Sequence, residues 1–127
     1  MDVLLSIKPE FADKIFNGTK KYEFRKAIFK RTDVRRVIVY ASSPVQRVIG
    51  VFQIKSILND SVENLWKRTS EYSGITKDFY HQYFAGRDQA FAIQVGRISR
   101  FKKVKTLQDY NINFAPQSYV YIENIVA

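Results

Sequence analysis

Lys20, Glu23 and Arg25 are the residues of this chain whose types and spacing could do chemistry. Arg25 carries a planar fork of donors that can grip a phosphate or a base edge. Lys20 offers a point charge or, if buried, an amine whose pKa falls toward neutrality and can then serve as a base. Glu23 can pair with either cation or accept hydrogen bonds from a base. Together, Lys20 and Glu23 could also form the acid–base pair of a ribonuclease. The plainer alternative is a structural ion pair at the foot of a helix.

The surrounding residues predict how these side chains are carried. Pro9 to Asn17 reads as a short helix: proline suits a first helical position, Glu10 and Lys14 complement the helix dipole, and Phe11, Ala12, Ile15 and Phe16 form an apolar stripe. Gly18 suits the left-handed residue that closes a helix. Tyr22 and Phe24 then alternate with Glu23 and Arg25, as in a strand with one buried face. Glu23 and Arg25 share that face. Lys20 precedes the regular pleat, so its direction is set by the turn.

The remaining elements follow in order. Strands are predicted over 3–7, 34–40, 47–58, 89–98 and 119–125, with 101–104 extending or following the fourth of these. A basic loop covers 27–33. Gly50 inside its strand marks a bulge or tight bend. Asp60 and Glu63 read as the capping pair of a helix ending near Ser70, and Thr76 as the N-cap of a second helix, Lys77 to Ala85, closed by Gly86. Thr106 to Tyr110 reads as a helical turn. The order β-α-β-β-β-α-α-β-β predicts an α+β fold whose sheet curls into a small mixed barrel.

With 127 residues and no linker or repeat, the chain reads as one domain over 1–127. Its composition, 46% hydrophobic, is that of a folded protein rather than a disordered one. There is no cysteine, which excludes disulfides and thiolate metal sites. No apolar run has the length of a membrane span, and Asp2 and Lys8 bracket too short an apolar stretch for a signal peptide; a soluble cytoplasmic protein is expected, with no membrane partner. The net charge of +9 favours polyanions. The cations fall partly into two groups, Lys20 to Arg36 and Arg97 to Lys105, so RNA, or a nucleotide or nucleoside, is the expected partner.

Further candidates lie in loops. Ser42 and Ser43 follow a strand and could bind phosphate, or simply make the turn before Pro44. Gln117 and Ser118 precede Tyr119; glutamine could read a base edge and tyrosine stack on a base, or the segment could dock the last strand. Trp66, Tyr72, Phe79, Tyr80, Tyr83 and Phe84 are expected in the core rather than in a stacking platform. His81 has no second ligand-type neighbour, so neither a metal site nor a cofactor is expected.

Gly18-x-Lys20-x-x-Glu23-x-Arg25 resembles the G-x-K-x-x-E-x-R motif of ASCH domains, members of the PUA-like superfamily. Leu4-Leu5-Ser6-Ile7-Lys8-Pro9, Tyr40-Ala41-Ser42-Ser43-Pro44 and Pro116-Gln117-Ser118-Tyr119 resemble three further landmarks of such domains, in the family's order. The resemblance implies RNA or modified-nucleoside binding in a cleft between the first helix and the barrel. Lys8, Lys20, Glu23, Arg25, Ser42, Ser43, Gln117, Ser118 and Tyr119 would be the ligand-binding residues. It also implies two alternatives. Some relatives look like amidohydrolases of acetylated cytidine, in which a motif lysine and a threonine cooperate with a distal glutamate. Lys20 matches the lysine, Glu23 stands at the threonine's position, and Glu71 is the candidate distal glutamate. Other related domains are described as transcriptional coregulators, a protein-binding role for which the aromatic helix 77–85 is the candidate surface.

Overall fold

The computed structural model describes residues 1–123. In chain order it contains β1 (Asp2–Ile7), α1 (Pro9–Phe16), β2 (Tyr22–Arg25), β3 (Arg36–Ala41), β4 (Arg47–Ser61), α2 (Val62–Thr69), α3 (Lys77–Tyr83), β5 (Gln89–Lys105) and β6 (Tyr119–Ile122). Short 3-10 turns occupy Ser70–Tyr72 and Leu107–Tyr110. This is the element order expected from the sequence. Of the closing strand expected over 119–125, Tyr119–Ile122 is formed, and positions 124 and 125 lie outside the described residues.

The six strands form one mixed sheet in the order β2-β5-β4-β3-β1-β6. Only β1 and β3 run parallel; the other neighbours are antiparallel. The sheet curls, but its hydrogen-bond ladders do not close into a ring: β2 and β6 are its edges. Side chains bridge the gap instead. Arg25 Nη2 of β2 donates to the carbonyl of Ser6 in β1 at 3.0 Å. The backbone N–H groups of Lys30 and Arg31 donate to the Tyr121 hydroxyl of β6 at 3.0 and 3.1 Å.

β1 and β3 are apolar on both faces, so alternate residues feed two cores. Val3, Leu5, Ile7, Val37 and Val39 meet Ala12 and Ile15 of α1. Leu4, Ile38, Tyr40 and Val48 pack on the opposite face, against Leu107, Tyr110 and Ile112. A third cluster, Phe24, Leu65, Tyr80, Phe84, Ala90 and Ala92, lies under α2 and α3. Gly50 sits at a register shift of β4 against β5. A Cβ there would lie 2.6 Å from the Phe16 ring and 2.7 Å from the Ser99 carbonyl, which is why the bulge takes glycine.

One cap differs from expectation by a residue. Ser61 is the N-cap of α2, accepting from the Asn64 N–H at 3.2 Å. Asp60 accepts from the Ser61 N–H at 2.7 Å and from Arg68 at 3.2 Å. A serine beside an aspartate offers two cap oxygens, and the backbone path decides between them. Among the described residues no helix is long and apolar enough to cross a membrane.

Candidate functional site

The site begins at the end of α1. Gly18 has φ +87°, and past it the N–H groups of Thr19 and Lys20 both donate to the Lys14 carbonyl, at 3.1 and 3.0 Å. This places Lys20 before the pleat of β2, pointing inward. Its side chain is 2% exposed. Nζ donates to the Ser73 carbonyl at 2.6 Å and lies 4.8 Å from the centre of the Phe24 ring and 5.4 Å from that of Phe11. Burial lowers the pKa of Lys20 to about 8, although the Glu23 carboxylate pulls it upward; the nearby Lys14 lowers it further.

Glu23 is also buried. Its Oε2 is 3.3 Å from Arg25 Nε, as their shared strand face predicts. That contact is electrostatic rather than a hydrogen bond: Arg25 Nε is buried with no hydrogen-bond partner among the described residues. The guanidinium therefore holds Ser6 through Nη2 and Glu23 through charge.

These groups open on a cavity of about 210 Å³ between α1, α3 and the strands. Lys8, Lys20, Glu23 and Arg25 supply its charged lining, and Phe11, Phe24, Phe79 and Tyr83 its aromatic walls; Ser6, Ile7 and Ile75 complete it. Phe79 meets Phe11 edge to face at 5.3 Å, and Lys8 Nζ lies 5.5 Å from the Phe79 ring. Burial raises the pKa of Tyr83, so its phenol stays protonated. The arrangement presents a flat apolar slot with a carboxylate and three cations in its lining, a shape suited to a planar polar ligand.

Of the residues singled out in sequence, Lys8, Lys20, Glu23 and Arg25 meet in this cavity. Ser42, Ser43, Gln117, Ser118 and Tyr119 are not among its lining residues. Ser42 makes the turn after β3, donating its N–H to the Ile7 carbonyl at 2.9 Å and accepting from Val45 N–H at 3.1 Å. Ser43 is exposed and precedes Pro44 through a cis peptide bond. Gln117 and Ser118 are exposed, and Tyr119 pairs with Leu5 in the sheet and packs on Phe29. The segment still reaches the rim of the cavity, because the Ser6 hydroxyl donates to the Pro116 carbonyl at 2.8 Å. Glu71 is exposed and outside the cavity.

Sequence reasoning placed the aromatics of 66–84 together in the core. The structure divides them. Tyr80 and Phe84 are buried, Tyr72 is 43% exposed, and Phe79 and Tyr83 line the cavity. Phe79 and Tyr83 are four apart, as are Tyr80 and Phe84. Two adjacent aromatic stripes on one helix were the signal that could have separated a cavity wall from a core face. With half of them buried and half in the cavity, α3 does not present the exposed apolar patch that a protein-docking role would need.

Comparison with known proteins agrees with this fold. The ASCH domain family matches residues 5–99. The large ribosomal subunit protein uL22 of Ureaplasma parvum is 29% identical over 95% of this chain, which spans only 39% of that protein's length. An ASCH domain-containing ribonuclease of Zymomonas mobilis is 31% identical over 91% of this chain and 79% of its own. A crystal structure of ASCH from Zymomonas mobilis superposes with a TM-score of 0.88 at 30% identity, over 96% of this chain and 87% of that one. With the family model matching residues 5–99 and the α+β fold superposing on a solved ASCH structure, the chain belongs to the ASCH domain family.

Proposed function

We propose that this domain binds single-stranded RNA, or a nucleoside derived from it, by taking one base into the cavity between α1, α3 and the sheet. The observation that carries this reading is the composition of the cavity: aromatic walls from Phe11, Phe24, Phe79 and Tyr83 beside Lys20, Glu23 and Arg25. Unstacked bases are recognised by aromatic stacking together with hydrogen bonds to their edges. The volume of about 210 Å³ is below the usual range for drug-sized ligands. It suits one base or nucleoside rather than a dinucleotide. The charge of +9 supplies long-range attraction for the strand.

A second reading, cleavage of the bound RNA, is favoured by the state of Lys20. A pKa of about 8 lies near working pH, where an acid–base group is most effective. In such a reaction the Glu23 carboxylate would take the proton of the attacking 2′-hydroxyl, and the Lys20 ammonium would protonate the departing 5′-oxygen. The name of the Zymomonas mobilis relative, a ribonuclease, supports this reading.

The test is to titrate the protein with the four ribonucleosides and to incubate it with end-labelled single-stranded RNA. Saturable nucleoside binding that Phe79→Ala weakens at least fivefold supports the cavity, since stacking on one ring contributes about 1–3 kcal/mol. Binding insensitive to Phe79 rejects it. Cleavage products absent at all protein concentrations leave binding without turnover.

A further inference from the structure

Lys20 lines two hollows, the cavity described above and a second groove of about 390 Å³. The second groove runs over three neighbouring strands. The Lys21 carbonyl accepts from the Val95 N–H at 2.9 Å, and Gln94 is paired with Ser56. This register sets Lys21 of the β2 edge opposite Val95 and Ile54, one position from the Tyr22–Gln94–Ser56 row, and puts Lys55 at the register irregularity of β4 between the two; Lys21, Lys55 and Gln94 all line the groove, with Lys21 and Lys55 two strands, or about 10 Å, apart. Among the described residues no carboxylate lines the groove. Lys21 and Lys55 are exposed and have no ion-pair partner among the described residues. The Ser56 hydroxyl donates to Gln94 Oε1 at 2.7 Å, which steadies the amide and leaves its NH2 group as a donor. The nearby Asp13 is already held by Arg100 at 3.0 Å.

We infer that this groove carries the phosphodiester backbone of the RNA strand whose base occupies the cavity, with Lys21 and Lys55 neutralising phosphates and Gln94 donating to a phosphate oxygen. The inference rests on the RNA reading proposed above. Unneutralised cations lining one groove, a fixed amide donor and no opposing carboxylate among the described residues are the features that phosphate recognition uses. Shared lining by Lys20 makes the two hollows neighbours, so one strand can engage both. Single nucleosides, which lack a phosphate, gain nothing from the groove.

The decisive variant is the double K21E/K55E, tested against a mixed-sequence single-stranded RNA 12-mer and against the four ribonucleosides. Its control is K103E/K105E, which makes the same change in net charge at the far end of β5. The expected result is an affinity loss for the 12-mer of at least tenfold, with a salt slope smaller by about 2. Nucleoside binding should stay within twofold, and the control should lose less than threefold. Unchanged 12-mer affinity, or equal losses in the two doubles, overturns the groove. Lys20→Ala separates the two ideas. If it spares nucleoside binding while K21E/K55E loses the 12-mer, the cavity reading fails and the groove stands. If Lys20→Ala abolishes nucleoside binding while K21E/K55E binds the 12-mer normally, the groove alone fails. Circular dichroism melts establish that every variant is folded.

Discussion

The Lys20 ammonium donates to the Ser73 carbonyl at 2.6 Å, across 53 positions of sequence. This contact is one of three. The carbonyls of Tyr72, Ser73 and Gly74 accept, in turn, from the Lys21 N–H, Lys20 Nζ and Lys14 Nζ. The segment between α2 and α3 thus clamps the motif from outside the motif. A buried ammonium without such an acceptor would be far more costly.

Lys20 should make stability depend on pH. Its folded pKa of about 8 is below the ordinary value of 10.5. Between these values the unfolded chain binds the proton more readily, so stability from this group rises with pH from about 8 to about 10.5. Below 8 the cost is fully present, at most about 3 kcal/mol. Denaturant melts at pH 7.5 and pH 10 should show a smaller rise for Lys20→Met than for the native chain. An identical pH response in both proteins would contradict the strained ammonium.

Lys20→Ala and Lys21→Ala remove equal charge from adjacent positions, yet they should differ. Lys20 is 2% exposed in the cavity, whereas Lys21 is exposed, with Nζ 4.3 Å from the Tyr72 ring centre. In low dielectric each contact to a ligand is stronger. Nucleoside affinity should fall at least tenfold for Lys20→Ala and less than twofold for Lys21→Ala. Equal losses by calorimetric titration would leave only a diffuse basic surface.

Glu23→Gln keeps the shape and removes the charge opposite Arg25. A half-broken buried pair leaves the guanidinium uncompensated, so stability should drop by about 1–3 kcal/mol. If Glu23 is also the base for RNA cleavage, turnover should fall at least a hundredfold at a temperature where the variant is folded. A melting temperature and a cleavage rate both equal to native would make Glu23 a bystander.

Gly74→Ala tests the clamp. Gly74 has φ +69°, and a Cβ there would lie 2.6 Å from the Lys20 stem. Gly86 has φ +79° with nothing within 4 Å. Both alanines carry the left-handed penalty of about 1–2 kcal/mol, but only Gly74→Ala also displaces Lys20. It should destabilise more than Gly86→Ala and weaken nucleoside binding as well. Equal melting temperatures with native binding would show that the loop yields freely.

Local signals made much of this architecture readable. Pro9 and Gly18 bracket α1, Thr76 and Gly86 bracket the α3 region, and Gly50 sits at its bulge. Glu23 and Arg25 share a face because strand parity leaves no other option. The direction of Lys20 was not readable, because it is set by Ser73 and Gly74, which carry no pattern linking them to position 20. Nor was the split of the α3 aromatics, since periodicity identifies an apolar face without saying whether protein or ligand will cover it. The cap at Ser61 was missed because Asp60 is an equally good cap by type.

The unclosed edge beside β2 gives Arg25 a double duty. A backbone ladder between β2 and β1 would fix that wall through several bonds formed together. Here a guanidinium nitrogen on the Ser6 carbonyl joins the two strands. Nη2 carries two hydrogens, so the one given to the Ser6 carbonyl leaves the other free, and the contact between the strands need not be broken for a second acceptor to be held. At this point β2 and β1 are joined by a single side-chain hydrogen bond rather than a ladder, while Arg25 Nε, with no hydrogen-bond partner among the described residues, stays beside the Glu23 carboxylate at 3.3 Å.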